Sequence, residues 1–316
     1  QTCALPILGL NAYFAYTICL GELADQANPW QIALTAILVE GIIFIILSAF
    51  KFRETLVNCI PENLKYGITT GIGLFITFIG LQNAGIAAAD ASTKVALGDI
   101  AQPQVALALI GVIIIGLMLY FNVKGAILWG ILITWGLGII AQFTGWYAVN
   151  PEAGVYSLLP SGSFLPNFAA LGDTAFKFDF SFMLNNTVEF AVIVFAFLFV
   201  DLFDTVGTLI GVAAKGNMLD KDGKLPRVGR ALMADAIGTV AGACLGTSTV
   251  TSYVESSAGV AEGGRTGLTS LTTAVMFILS LFLWPVFGAI PSFATAPALI
   301  IVGLFMMSSV LKVKFE

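Results

Sequence analysis

FAVIVFAFLFVDLFDTVGTLIGVAA, Phe190–Ala214, is the stretch whose reading decides the fold class of this chain. The eleven residues Phe190–Val200 are apolar without interruption; Asp201 and Asp204 follow, and apolar sequence then resumes. A helix needs about 20 apolar residues to cross a bilayer, and this run is long enough. Two carboxylates therefore fall where hydrocarbon is expected, each at roughly 2.5–3.5 kcal/mol near the bilayer centre on insertion scales. Residues that costly are kept where they face a polar cavity. At this spacing both acids share one helix face. Two like charges so close cannot both ionise cheaply, so one is expected to hold a proton. A carboxyl that takes and releases a proton is what proton-coupled transport needs. The plainer reading is that both acids cap a helix end or bond to neighbouring helices.

The rest of the composition agrees with a membrane location. The 316 residues are 58% hydrophobic and 10% charged, with a mean hydropathy of +0.94. Soluble domains carry about 25% charged residues, so the chain reads as an all-α polytopic membrane protein. The net charge of -5 gives no basic footprint for nucleic acid. There is no histidine, which leaves proton chemistry to Asp and Glu. Cys3, Cys19, Cys59 and Cys244 have no paired spacing and read as small apolar residues rather than a disulfide or metal set. No cofactor is expected. The chain opens inside an apolar segment without Met, as a piece of a longer protein would.

Ten segments can be marked. Thr2–Leu20 is rich in helix breakers, Gln31–Phe50 is a span interrupted only by Glu40, and Tyr66–Ile86 carries Gly67 and Gly71 as a small-residue seam. Ala87–Gln104 reads as a polar loop, Val105–Phe121 and Ala126–Phe143 as a hairpin, and Thr144–Asn185 as a long loop on one membrane face. After the Asp201 segment, Ala231–Gly246 repeats glycine at 238, 242 and 246, a flat face open to close approach. Asp235 near its start suits the helix dipole. Leu268–Ile290 and Ala294–Leu311 read as ordinary spans. Most Lys and Arg lie in the loops at 51–65, 122–125 and 215–230, at Arg265, and in the tail with Lys312 and Lys314. The alternate loops hold only Lys94 and Lys177. By the positive-inside rule the first set, and with it the C-terminus, is cytoplasmic.

Two segments look broken: Pro6–Asn11, and Thr247–Gly264, TSTVTSYVESSAGVAEGG. Irregular backbone at membrane depth is tolerated only in protein or along a cavity. Interrupted segments in corresponding places of two halves point to a transporter's binding site. The first runs outward and the second inward, the sense an inverted repeat requires. Asn11 offers a donor and an acceptor and Glu255 two acceptors, a set that fits a flat nucleobase edge. The alternative for 247–264 is an amphipathic interfacial stretch, but it lacks the basic residues such a helix uses.

The motifs GLNAYFAYT (Gly9–Thr17), GIGLFITFIGLQNAG (Gly71–Gly85), DLFDTVGTLIGVA (Asp201–Ala213), ADAIGT (Ala234–Thr239) and GTSTVTSYVESSAGVAEGGRTGLT (Gly246–Thr269) resemble the AzgA-like hypoxanthine/guanine/adenine permeases, a branch of the nucleobase–cation symporter-2 family. The resemblance covers nearly the whole chain. It departs before Asn11, where only Gly9 of Pro6-Ile7-Leu8-Gly9 matches the family's lead. It implies an inverted-repeat transporter of fourteen segments, with two broken segments carrying short extended stretches and with core and gate domains. On that plan the chain runs from about the third segment to the twelfth. Residues 1–65 and 186–290 would be core; 66–185, with its long external loop, and 291–316 would be gate. The resemblance places the substrate at Asn11, Asp201 and Glu255, with Ala12 and Val254 beside them, and coupling at Asp204.

The expected function is proton-coupled uptake of purine nucleobases across the cell membrane by a secondary active transporter, not an enzyme. The proton is the coupling ion, the partners are a purine base and the lipid bilayer, and a homodimer is compatible. Sodium coupling stays open, since carboxylates and free carbonyls also ligate sodium. An intramembrane aspartyl protease would need two Asp on different helices, one in Gly-x-Gly-Asp, and no such motif occurs. A pore would call for rings of like charge.

Overall fold

The computed structural model describes residues 9–50, 52, 55, 59–150, 155–162, 164–166, 168–220, 225–253 and 255–313. Pro6, Ile7, Leu8 and Val254 lie outside them. In chain order the helices are α1 (Gly9–Ala12), continued by a π-helix over Tyr13–Glu22, then α2 (Pro29–Ala49), α3 (Glu62–Asn83), α4 (Pro103–Tyr120), α5 (Ala126–Phe143) and α6 (Ser181–Asn185). They continue with α7 (Thr187–Lys215), α8 (Val228–Leu245), α9 (Ser256–Ala261), α10 (Gly267–Phe282), α11 (Trp284–Ala289) and α12 (Ser292–Met307). Among the described residues, α2, α3, α4, α5, α7, α8 and α12 are long and apolar enough to cross a membrane. Pro29 and Pro103 each stand at a helix start, where the missing N–H leaves no bond unmade.

The chain forms two compact units. The first gathers Thr70–Pro166 and Glu255–Ser308; the second gathers Ile7–Thr69, Asn167–Val254 and Ser309–Glu316.

In the first unit, α4, α5 and α12 pack on one another around Leu107, Ala108, Ala141, Leu158, Phe293 and Ala296. Glycines bring α3 onto α12. A Cβ on Gly73 would lie 2.7 Å from the Gly303 carbonyl oxygen, and one on Gly80 would lie 2.8 Å from Ile300. The small-residue seam of α3 is therefore Gly73 and Gly80. The expected pair, Gly67 and Gly71, faces open space. This contrast gives a prediction. Gly73→Ala should lower the melting temperature in detergent, because overpacking a tight contact costs about 1–3 kcal/mol. Gly71→Ala should leave it unchanged or raise it, since Ala is the better helix former. Equal effects of the two substitutions would reject this packing.

Two further stretches of this unit differ from the sequence reading. Ala87–Gln104 contains a two-stranded hairpin, β1 (Ala87–Asp90) with β2 (Lys94–Leu97). Its turn is knit by Asp90, which accepts hydrogen bonds from the backbone N–H and hydroxyl groups of Thr93 and Ser92. These bonds, those from Thr93 foremost, hold the Asp90 carboxyl down at about 2, so the turn keeps its charge at any pH above that. Leu268–Ile290 is not one continuous helix: α10 ends at Phe282 and α11 starts at Trp284 with Pro285 in its first turn. Proline has no N–H for the carbonyl four residues back and its ring crowds that carbonyl, so the helix breaks there.

The second unit positions the acids. α2 packs on both α7 and α8, and its approach to α8 is close: a Cβ on Gly41 would lie 2.7 Å from Val240. Ile18, Ile37, Phe190, Ile193 and Phe197 fill the core between them. The first turns of α3 join this unit through the Thr69 hydroxyl, which donates to the Gly207 carbonyl of α7 at 3.1 Å.

Candidate functional site: an acid and hydroxyl cluster on a broken segment

The cluster begins with the way α8 ends. Gly246 has φ +86, the left-handed conformation that glycine adopts without strain. Thr247 N–H then donates to the Gly242 carbonyl at 3.0 Å, and the chain turns back along α8 without helix or strand as far as Tyr253. The glycine repeat makes room for it. A Cβ on Gly242 would lie 2.5 Å from the Val250 side chain, and one on Gly238 would lie 3.4 Å away. Two rungs tie the returning chain to the helix: Thr239 Oγ1 donates to the Val250 carbonyl at 2.8 Å, and Ser252 N–H donates to Asp235 Oδ1 at 2.9 Å. The spacing is physical. Four helical residues rise about 6 Å and two extended residues about 6.6 Å, so successive rungs stay in step.

From this extended stretch, side chains reach three other elements. Ser248 Oγ donates to Asn11 Oδ1 at 2.7 Å. Thr249 Oγ1 donates to Glu40 Oε2 of α2 at 3.2 Å. Thr251 Oγ1 lies 3.0 Å from Thr205 Oγ1 of α7. Thr205 is also 3.2 Å from Asp201 Oδ1 and 3.1 Å from Asp235 Oδ2. Glu40, Asp201 and Thr205 are fully buried and Asp235 is nearly so. Three carboxyl side chains and a set of Ser and Thr hydroxyls thus meet on one broken segment inside a membrane unit.

The expected site residues distribute as follows. Asn11 and Asp201 are both joined to the extended stretch, through Ser248 and through Thr205. Asn11 is helical, in α1, and the π-helix begins two residues later; Pro6, Ile7 and Leu8, the rest of the expected break, lie outside the described residues. Ala12 is helical as well, and Val254 lies outside the described residues. Asp204 is half-buried, one turn of α7 beyond Asp201. Glu255 heads α9 and belongs to the first unit; its Oε2 is buried with no hydrogen-bond partner among the described residues.

Glu40, Asp235 and Thr205 are additions. Glu40 carried the same signal as Asp201, a carboxylate within an apolar run. Asp235 is not in the first turn of its helix, because α8 starts at Val228, so the dipole reading does not explain it: its carboxylate is held by Ser252 and Thr205. Thr205 had no sequence signal, since a threonine one turn after an acid is ordinary.

A groove of about 500 Å³ in the first unit lies at the α4–α5 turn beside α9. Asn122 and Glu262 are its polar side chains, and Glu262 Oε1 already accepts the Gly125 N–H at 2.9 Å. A site for a polar ligand needs several convergent polar groups, and the acid cluster supplies more of them.

The comparisons with known proteins agree with this picture. The chain is 46% identical over 310 residues to the guanine/hypoxanthine permease PbuO of Bacillus subtilis, covering 96% of this chain and 67% of that protein. It is 38% identical over 314 residues to the adenine permease AdeQ of Escherichia coli, covering 98% of this chain and 65% of that protein. The chain therefore spans about two thirds of the length of these relatives. Among solved structures, the transmembrane domain of the cyanobacterial bicarbonate transporter BicA matches with a TM-score of 0.63 at 17% identity, over 98% of this chain and 80% of that one; this likeness concerns the fold. The model described as "Permease family", that of the xanthine/uracil permeases, matches residues 3–316. With the helices long enough to span, this makes the chain part of a multi-pass membrane protein, a transporter and not an enzyme, and it belongs to the xanthine/uracil permease family.

Proposed function

We propose that the protein takes up purine nucleobases in symport with protons. The observation that carries this reading is the cluster of buried carboxyl groups and hydroxyls on the 247–253 stretch, where the described residues of the second unit bring Glu40, Asp201 and Asp235 together. The names of the relatives, permeases for guanine, hypoxanthine and adenine, give the substrate class. Glu255 and Asp201 accept hydrogen bonds from purine ring N–H groups, and Asn11 pairs with a further ring edge. Ala12 and Val254 flank the ligand. Asp201 would reach a purine by exchanging its bond from Thr205 for one from the ligand, which links base binding to the hydroxyl network. Asp204 relays the proton toward the cytoplasmic side, the side on which the Lys and Arg distribution also puts the C-terminus.

The test is uptake of radiolabelled hypoxanthine by the full-length protein in cells lacking their own purine permeases, with unlabelled guanine, adenine and xanthine as competitors. Uptake should collapse with a protonophore and ignore replacement of sodium. Uptake that follows sodium and ignores pH would overturn proton coupling; no purine uptake would overturn the substrate class.

A further inference from the structure

We infer that Asp201 and Asp235 share one proton through the hydroxyl of Thr205, and that Asp235 is thereby a working member of the coupling machinery. Thr205 Oγ1 has three oxygen neighbours: Asp201 Oδ1 at 3.2 Å, Asp235 Oδ2 at 3.1 Å and Thr251 Oγ1 at 3.0 Å. A hydroxyl donates one hydrogen and accepts at two lone pairs. Between Thr205 and Thr251 either hydroxyl can donate; Thr251 is taken as the donor, filling one lone pair of Thr205, since the reverse would require a hydrogen from both acids. Thr205 gives its own hydrogen to one carboxylate. The remaining contact is a hydrogen bond only if the other carboxyl brings a hydrogen of its own. With both acids ionised, one carboxylate oxygen would face a lone pair across about 3 Å in a buried site, which is repulsive. One proton on the pair satisfies all three contacts of the Thr205 hydroxyl.

The geometry also lets that proton move. Asp235 gives its O–H hydrogen to Thr205 Oγ1 as Thr205 passes its own to Asp201 Oδ1. One O–H bond breaks and one forms at each step, and the net result is one proton transferred from Asp235 to Asp201. Asp235 is fixed for this role, because Ser252 N–H holds its Oδ1 at 2.9 Å and turns Oδ2 toward Thr205. The other ionisable groups around the cluster are Glu40 of α2, bonded to Thr249, Asp204 on α7, buried Lys65 and Tyr66 at the start of α3, Tyr13 after α1, and Tyr253 on the extended stretch. None of these hydrogen-bonds to the Thr205 hydroxyl.

The inference deepens the proposed symport and rests on it for the word coupling; the shared proton itself can be read without substrate. Infrared spectroscopy of the ligand-free, full-length protein should show a protonated-carboxyl C=O band that shifts in heavy water. Asp235→Asn should remove it. Ser252 N–H selects the amide oxygen, the amide N–H takes the place of the carboxyl hydrogen toward Thr205, and Asp201 is left ionised. Asp201→Asn should remove the band as well. Thr205→Ser, Glu40→Gln and Asp204→Asn should keep it. A band that survives both Asp235→Asn and Asp201→Asn, or one lost in Glu40→Gln, overturns the shared proton. In transport, Asp235→Asn should still bind hypoxanthine, with an affinity that no longer changes with pH, and should lose accumulation. Accumulation at the wild-type level in Asp235→Asn overturns its part in coupling. Absence of hypoxanthine binding by the wild type would reject the purine reading alone and leave the infrared result standing.

Discussion

Glu255→Gln should lose purine binding while the protein still reaches the membrane. Glu255 presents a buried carboxylate oxygen with no hydrogen-bond partner among the described residues, an acceptor available to a ligand N–H. Glutamine replaces one of two acceptor oxygens with a donor. An N–H from the purine would then meet an N–H from the protein. Leaving a buried polar group unsatisfied costs about 1–3 kcal/mol, or roughly 5- to 150-fold in affinity. Equilibrium binding of radiolabelled hypoxanthine to the purified variant measures this. Wild-type affinity would remove Glu255 from the site.

The acids of α7 should separate by phenotype. Asp201 is fully buried and bonded to Thr205, whereas Asp204 is half-buried one turn further along, toward the loop that the Lys and Arg pattern makes cytoplasmic. Asp204→Asn should therefore bind purine, keep the pH dependence of that binding and fail to accumulate substrate. Asp201→Asn should lose affinity first, because it removes both a ligand for the base and a seat for the proton. Binding and gradient-driven uptake measured on both variants decide the matter. If Asp204→Asn loses binding and Asp201→Asn keeps it, the roles are exchanged. If both accumulate purine like the wild type, the acids serve packing and the transport reading of α7 fails.

Much of the frame was legible because cost leaves a mark in sequence. A carboxylate in an apolar run is conspicuous, and so is a polar Ser/Thr stretch between two spans, which is why Asp201 and the 247–264 break stood out. The glycines at 238, 242 and 246 announced a close neighbour, though not that the neighbour would be the chain's own return through Val250. What stayed hidden depends on pairing across distance. Asp235 becomes informative only once Ser252 and Thr205 are beside it, and nothing local brings residues 205, 235 and 252 together. The α3 seam was misplaced by helical phase: Gly67 and Gly71 have the right spacing, but Gly73 and Gly80 face the partner helix. Pro285 was available as a signal, and the hydropathy of Leu268–Ile290 hid it.

The central claim is that purine and proton cross together through this cluster of buried acids. It is tested most directly by reconstituting the full-length protein in liposomes that hold a trapped pH indicator and have no imposed gradient, and then adding hypoxanthine outside. The account predicts that the interior acidifies as purine enters, and that the signal is lost in Asp235→Asn and Asp204→Asn. Purine entry without acidification, or acidification that persists in both variants, would contradict it.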